Sequence, residues 1–139
     1  MHQFSLNVKF DAPLERLYEA WHKPELLQQW FAPGDMLVAQ AMSSFQEGGK
    51  FRIVMQDTDF SQHILMGQYQ TIVPNQRLAF TWQWQDSDLM THVSLDFARV
   101  NDSTSELTLT HSGFPDQEMA DDHQDGWIAC LEKLSLLTL

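Results

Sequence analysis

Residues 107–114, Leu-Thr-Leu-Thr-His-Ser-Gly-Phe, lead into a segment that opens at Pro115 and runs to Leu139. Leu107 and Leu109 alternate with threonines, which is the period-two pattern of a strand with one buried face. In the segment that follows, apolar residues recur at three- and four-residue spacing, which predicts a long helix packed on one face. A strand followed by such a helix indicates a curved sheet that grips the helix and encloses an apolar cavity. The residues of this helical stripe are Trp127, Cys130, Leu131, Leu134 and Leu137.

The charges of this last segment also favour a helix. Acidic side chains are concentrated near its start and Lys133 lies near its end, as the helix dipole prefers. Gly126 lies in the middle, where a glycine costs about 1 kcal/mol relative to alanine. The sequence therefore predicts either a break of the helix at Gly126 or close packing that compensates for the glycine.

Upstream, the chain begins with a strand and two short helices. Apolar and polar residues alternate over residues 4–10, which predicts the first strand. Asp11-Ala12-Pro13 then provides a helix start, and the helical spacing continues to His22. Pro24 opens a second helical pattern that ends at Ala32-Pro33-Gly34.

Between these helices and the last one, the helical period disappears. Short segments rich in β-branched and aromatic residues alternate with turn residues, and this pattern predicts six strands. Because the connections are short, consecutive strands are expected to pair as antiparallel neighbours. The six predicted strands cover residues 36–44, 49–56, 62–73, 77–85, 89–99 and 104–112.

Length and charge restrict the class of protein. A chain of 139 residues without an internal repeat fits one domain, residues 1–139, with one core. The 8 Lys and Arg residues against 19 Asp and Glu give a formal charge of −11. This charge repels phosphates and anionic lipid head groups. Nucleic acid and membranes are therefore not expected as partners.

The cysteine content and the N-terminus favour the cytoplasm. Cys130 is the only cysteine, so it has no internal disulfide partner, and the first residues lack the basic start and apolar run of a signal peptide. No uncharged apolar window approaches the roughly 18 residues that span a bilayer. We expect a cytoplasmic protein in which Cys130 behaves as a small, inert hydrophobic residue.

Short motifs occur in a characteristic order along nearly the whole chain. They are Asp11-Ala12-Pro13, Ala20-Trp21, residues 24–33, Gly48-Gly49-Lys50-Phe51, Gly67-Gln68-Tyr69, residues 73–78, Phe80-Thr81-Trp82, residues 107–109, residues 111–114 and Gly126-Trp127. This ordered set resembles the SRPBCC or START-like superfamily, in the branch of the activator of heat-shock protein ATPase homologues, also called polyketide cyclase-like. The resemblance implies an α+β helix-grip fold. In that fold a seven-stranded curved antiparallel sheet wraps around a long C-terminal helix, two short helices join the first and second strands, and a hydrophobic cavity remains.

The resemblance does not select one function. Members of the superfamily include lipid and hormone binders, cyclases, stress-related proteins and a co-chaperone domain, and a fold alone does not fix an activity. The first hypothesis is a protein that binds a small hydrophobic ligand in the cavity, with no defined reaction and no cofactor. The alternatives are a cyclase- or hydrolase-type enzyme and a co-chaperone-like interaction module. Co-chaperone relatives are typically longer, so a chaperone partner is the less favoured reading, and the sequence does not decide on a homodimer.

The aromatic side chains supply the candidate cavity wall. By the period-two rule, Phe80, Trp82 and Trp84 share one face of a predicted strand with Leu78. Each of these side chains is equally explained as part of an ordinary packed core, with no role in ligand binding. The predicted ligand-binding residues are Trp30, Met55, Met66, Phe80, Trp82, Trp84, Phe97, His111 and Trp127.

Histidine is the candidate for catalysis, because an imidazole titrates near neutral pH. His111 has the parity of Leu107 and Leu109, so its ring is predicted on the inner face, where it either acts as an acid and base or makes a structural hydrogen bond. The orientations of His63 and His92 depend on strand register. His2 and His22 are predicted to be exposed.

A metal site near the last helix is not expected. His111 and His123, with Asp121, Asp122 or Asp125, offer potential ligands, but their spacing matches no compact zinc motif and the helix dipole explains the acids. Ser112-Gly113 and Gly48-Gly49 also lack the flanking residues of a nucleophile elbow or a phosphate loop.

Overall fold

The computed structural model describes residues 1–139, and it contains seven strands and three helices in the predicted order. The elements are β1 (His2–Phe10), α1 (Leu14–Glu19), α2 (Pro24–Trp30), β2 (Leu37–Ser43), β3 (Lys50–Gln56), β4 (Gln62–Val73), β5 (Arg77–Trp84), β6 (Thr91–Asn101), β7 (Thr104–Phe114) and α3 (Gln117–Ser135).

All seven strands form one antiparallel sheet. Its order is β1-β7-β6-β5-β4-β3-β2, so β2 to β7 form a meander and β1 pairs with the last strand. The two edges of the sheet are therefore β1 and β2. This architecture confirms the predicted α+β helix-grip fold.

The strand boundaries differ from the predicted ones mainly at β6 and β7. β6 covers Thr91–Asn101 rather than residues 89–99. β7 continues to Phe114, two residues beyond the predicted end, because His2 of β1 pairs with Phe114 and holds the end of β7 in the sheet. Cross-strand pairing thus sets an end that the local sequence does not mark.

The longest helix, α3, has 19 residues and packs against the sheet. α3 contacts β1, β7 and α2. It starts after Asp116, whose carboxylate accepts a hydrogen bond from the Met119 backbone N–H at 2.8 Å, an N-cap that removes one unpaired donor. None of the three helices combines the length and the apolar character that a bilayer-spanning helix needs.

A single hydrophobic core of 32 buried residues fills the space between the sheet and the helices. Inward side chains alternate along each central strand, and Leu65, Leu78, Leu95 and Leu109 on β4 to β7 are fully buried. Their burial on alternate positions places the concave face of the sheet toward the helices. The packed core occupies most of this face and leaves an opening at one end.

Candidate functional site

A pocket with a volume of about 260 Å³ lies between the sheet and α3. Its walls come from three regions: the ends of β3 to β5, the segment that joins α2 to β2, and the middle of α3. We call it the aromatic pocket. Its lining residues are Phe31, Pro33, Met36, Met55, His63, Trp82, Trp84, Asp122, His123, Gly126, Trp127 and Cys130.

The strands provide the first wall. Trp82 and Trp84 lie two residues apart on β5 and therefore share its inner face, with ring centroids 5.5 Å apart and planes at 90°. Met55 on β3 and His63 on β4 are directly paired across the two strands. Strand pairing thus brings four side chains to one end of the concave face.

The segment between α2 and β2 provides the second wall, through Phe31, Pro33 and Met36. Lys133 of α3 stabilises this segment, because its ammonium group donates hydrogen bonds to the carbonyl oxygens of Ala32 and Met36. Sequence reasoning identified this segment only as the end of a helix. The long-range contact with Lys133, 97 residues from Met36, had no local signal.

The third wall is α3, where Gly126 leaves the helix backbone uncovered. The helix continues through this glycine without a break, and a Cβ built there has no neighbour within 4 Å. Both predicted explanations for Gly126, a break or close packing, are therefore wrong. Open space faces the glycine because the pocket lies beside it.

Cys130 completes this wall one turn further along α3. Burial raises the pKa of its thiol to about 12. The thiolate, which is the reactive form, is therefore scarce at neutral pH. Cys130 contributes an apolar surface to the pocket.

His111 lies behind the pocket in a hydrogen-bond chain. The indole N–H of Trp127 donates to His111 Nδ1 at 3.0 Å, so the ring proton must lie on Nε2. Nε2 then donates to the Thr91 hydroxyl at 2.7 Å, and that hydroxyl donates to the carbonyl oxygen of Trp82 at 3.3 Å. Burial, followed by the nearby His123 and His92, lowers the pKa of His111 to about 3. The imidazole is therefore neutral, with both nitrogens engaged.

A second imidazole–indole pair supports the pocket directly. The indole N–H of Trp84 donates to His123 Nε2 at 3.2 Å, and Nδ1 of His123 donates to the Met119 carbonyl oxygen at 2.9 Å. The rings of His111 and His123 are 5.6 Å apart. The two histidines therefore fix the orientation of two tryptophans in the wall, a role that the sequence analysis did not assign to His123.

Four of the predicted ligand-binding residues line the pocket: Met55, Trp82, Trp84 and Trp127. Four others are buried in the core around it and do not line it. Trp30 is anchored by an indole hydrogen bond of 3.0 Å to the Ala20 carbonyl oxygen. The other three are Phe80, Phe97 and His111.

The predicted inward position of Met66 is wrong. Met66 lies on the outer face of β4, where its cross-strand neighbours are Arg52 and Gln83. Ile64, Leu65 and Met66 are consecutive apolar residues, so period-two alternation does not distinguish the two faces of β4 here. The structure places Leu65 inside and Met66 outside.

The remaining histidines lie at the surface or near it. His63 lines the rim of the pocket, whereas His92 is exposed on the outer face of β6. His2 is exposed as predicted. His22 is half-buried rather than exposed, because its ring stacks on Phe45 with centroids 3.8 Å apart, and burial lowers its pKa.

The acids of α3 do not converge on a metal site. Asp121, Asp122 and Asp125 are all exposed on this helix, and of the three only Asp122 lines the pocket. No three His, Cys, Asp or Glu side chains in the chain are grouped closely enough to hold a metal ion.

Known structures share this fold over almost the whole chain. A protein from Chromobacterium violaceum is 23% identical, with a TM-score of 0.87 over 96% of this chain and 94% of its own. An AHSA1 protein from Silicibacter pomeroyi is 27% identical, with a TM-score of 0.86 over 96% and 95%. An HSP90 activator from Plasmodium falciparum is 18% identical, with a TM-score of 0.74 over 96% and 94%.

No curated protein matches the chain significantly. The family model described as activator of Hsp90 ATPase homolog 1-like protein matches residues 11–138, which include both short helices, six of the seven strands in full and α3. The match confirms the resemblance that the ordered motifs carry. The chain belongs to the family of activator of Hsp90 ATPase homolog 1-like proteins.

Proposed function

We propose that this protein binds a small apolar molecule in the aromatic pocket. The observation that carries the proposal is an open volume of about 260 Å³ walled by three tryptophans and a phenylalanine, beside a core that is otherwise closely packed. A second gap deeper in the core, between Trp21 and Phe80, holds only about 10 Å³. The space in the aromatic pocket is therefore not a general consequence of loose packing.

The pocket size indicates the size of the ligand. An apolar cavity of about 150 Å³ in a protein core is sufficient for benzene, so a pocket of this volume suits a compound with two fused rings. Each 100 Å² of apolar surface that such a ligand buries contributes about 2.5 kcal/mol to binding. Contacts with the aromatic walls supply this term without any charged group in the ligand.

The geometry at His111 favours binding without a defined reaction. A general acid or base needs a nitrogen within hydrogen-bond reach of the substrate. Both nitrogens of His111 are engaged by Trp127 and Thr91, and its side chain is fully buried. An enzymatic role through His111 is therefore the weaker alternative.

Replacement of Trp84 tests the proposal. We expect Trp84→Ala to bind 2-naphthylmethanol about tenfold more weakly than the wild type, because the variant loses one wall, or roughly 50–60 Å² of apolar contact. Trp84 is a better target than Trp82, because Trp84 is only half-buried, whereas truncation of a fully buried tryptophan costs about 3–5 kcal/mol of stability. Isothermal titration calorimetry measures the affinities.

Met66→Ala is the matched control, because Met66 lies on the outer face of the neighbouring strand. The control is expected to keep the wild-type affinity. Equal affinities of the wild type and Trp84→Ala, or an absence of binding to the wild type at millimolar concentration, would contradict binding in the aromatic pocket.

A chaperone partner is the second candidate. The name of the family and the similarity in fold to the Plasmodium falciparum HSP90 activator favour it. A surface with a formal charge of −11 is expected to strengthen an interaction with a basic partner at low salt. Capture of purified Hsp90 that is lost at high salt is the expected result, and no capture at low salt excludes this candidate.

A further inference from the structure

We infer that the aromatic pocket selects an organic cation, an apolar body that carries an ammonium group, over neutral and anionic molecules of the same shape. This inference rests on the proposed function and adds the charge of the ligand. It arises from three features of the pocket: its aromatic walls, the carboxylates at its rim and the fixed hydrogen bonds of its histidines.

The walls are suited to a cation. Trp82, Trp84, Trp127 and Phe31 line one small space, and the electron-rich faces of aromatic rings attract ammonium groups, with tryptophan the strongest of them. The indole N–H groups of Trp84 and Trp127 are held by His123 and His111. These two indoles are therefore fixed before a ligand arrives, so less ordering is needed on binding.

The charges around the opening have one sign. Asp122 of α3 lines the pocket, and an adjoining groove that shares His63 and Trp84 with it is lined by Asp86. No lysine or arginine lines either space. One carboxylate on α3 thus lies at the pocket and one in the turn after β5 lies at the adjoining groove, in a protein with a formal charge of −11.

The two basic groups of α3 nearest in sequence to the pocket wall are already engaged. The ammonium group of Lys133 is held by the carbonyl oxygens of Ala32 and Met36, and it does not line the pocket. Nε2 of His123 accepts the Trp84 indole N–H, so that nitrogen carries no proton. A buried anion would therefore meet neither a lysine nor an arginine and would be repelled by Asp122, and both effects oppose its binding.

Three ligands with one skeleton test the inference. They are 2-naphthylmethylamine, 2-naphthylmethanol and 2-naphthoate, titrated at pH 7.5, above the ordinary imidazole pKa of about 6.5. We expect the amine to bind about fivefold or more tightly than the alcohol, and the carboxylate to bind most weakly. The amine's advantage is expected to decrease between about 20 mM and about 500 mM salt, because salt screens exposed charges. The Debye length is about 8 Å at physiological ionic strength and becomes shorter as salt is added.

Asp122→Asn tests whether the Asp122 carboxylate causes the preference for the amine. This variant is expected to lose about threefold in affinity for the amine and to keep its affinity for the alcohol, since only the rim charge changes. Asp125→Asn is the matched control, because it removes the same charge from an exposed position of α3 outside the pocket.

The outcomes separate this inference from the proposed function. Binding of the alcohol with no preference for the amine, or with a preference for the carboxylate, overturns the cation inference and leaves the apolar pocket in place. An equal effect of Asp122→Asn and Asp125→Asn also overturns it, because the attraction is then that of the whole surface. Failure of all three ligands to bind overturns both proposals.

Discussion

Lowering the pH from 7.5 to 5.0 is expected to reduce the free energy of unfolding by about 2 kcal/mol through His111 alone. Burial lowers the pKa of this imidazole to about 3 in the folded protein, whereas an unfolded chain has the ordinary value of about 6.5. The folded state therefore binds fewer protons than the unfolded state between these two values. The stability due to neutral His111 is complete above pH 6.5 and is lost as the pH falls toward 3.

The hydrogen bonds of His111 explain why the folded state resists the proton. A proton on Nδ1 removes the acceptor for the Trp127 indole and places a charge in a fully buried site. Trp127 lines the aromatic pocket. Acid is therefore expected to disturb the pocket wall and the fold together.

Urea unfolding at pH 7.5 and 5.0 measures this effect in the wild type and in His111→Gln. Glutamine does not titrate, so the variant is expected to be about 2–3 kcal/mol less stable at pH 7.5, where it loses buried hydrogen bonds. This gap is expected to shrink by about 2 kcal/mol at pH 5.0, because only the wild type takes up a proton at position 111 when it unfolds. The half-buried His22, whose pKa burial also lowers, is present in both proteins and cancels in the difference.

His2→Gln is the control, since His2 is exposed and is not among the groups that lower the pKa of His111. Its stability is expected to follow the wild type at both pH values. A gap between the wild type and His111→Gln that does not change with pH would show that His111 binds the same number of protons in both states.

Regular alternation and turn residues are sufficient to predict the order of the strands and helices, and the resemblance to a known family supplies the seven-stranded helix-grip arrangement. The pattern predicts β4 at residues 62–73, and β4 occupies Gln62–Val73, because turn residues flank this segment on both sides. The same segment shows the limit of this reasoning at Met66. Where apolar residues are consecutive, the sequence gives the strand but not its inner face, which the pairing with β3 and β5 determines.

Side chains that line the pocket were predictable from the sequence in part, most directly where one strand carries them. Trp82 and Trp84 share a face of β5 by period two, and both line the pocket. The hydrogen bonds from Trp84 to His123 and from Trp127 to His111 join residues that are 39 and 16 positions apart in the sequence. No local spacing encodes such pairs, because the packing of α3 on the sheet creates them.

A large side chain introduced at Gly126 is expected to lower the affinity for the ligand, whereas a small one is expected to raise the free energy of unfolding. Gly126 has a helical backbone without a positive φ, so an L-residue fits there without strain. Gly126→Ala removes a helix penalty of about 0.5–1 kcal/mol, and its methyl group meets no atom within 4 Å. The free energy of unfolding, measured in urea, is expected to rise by about this amount.

Larger side chains at the same position grow into the aromatic pocket. Gly126→Leu is expected to lower the affinity for 2-naphthylmethanol by about a hundredfold, or about 2.7 kcal/mol, because the leucine occupies the space of the ligand. Asp125→Leu is the matched control, since residue 125 is exposed and outside the pocket, and it is expected to keep the wild-type affinity. A folded Gly126→Leu protein that binds as tightly as the wild type places the ligand elsewhere. Lost binding with retained stability instead shows that Gly126 leaves space for the ligand, because the packing of the helix does not require a glycine there.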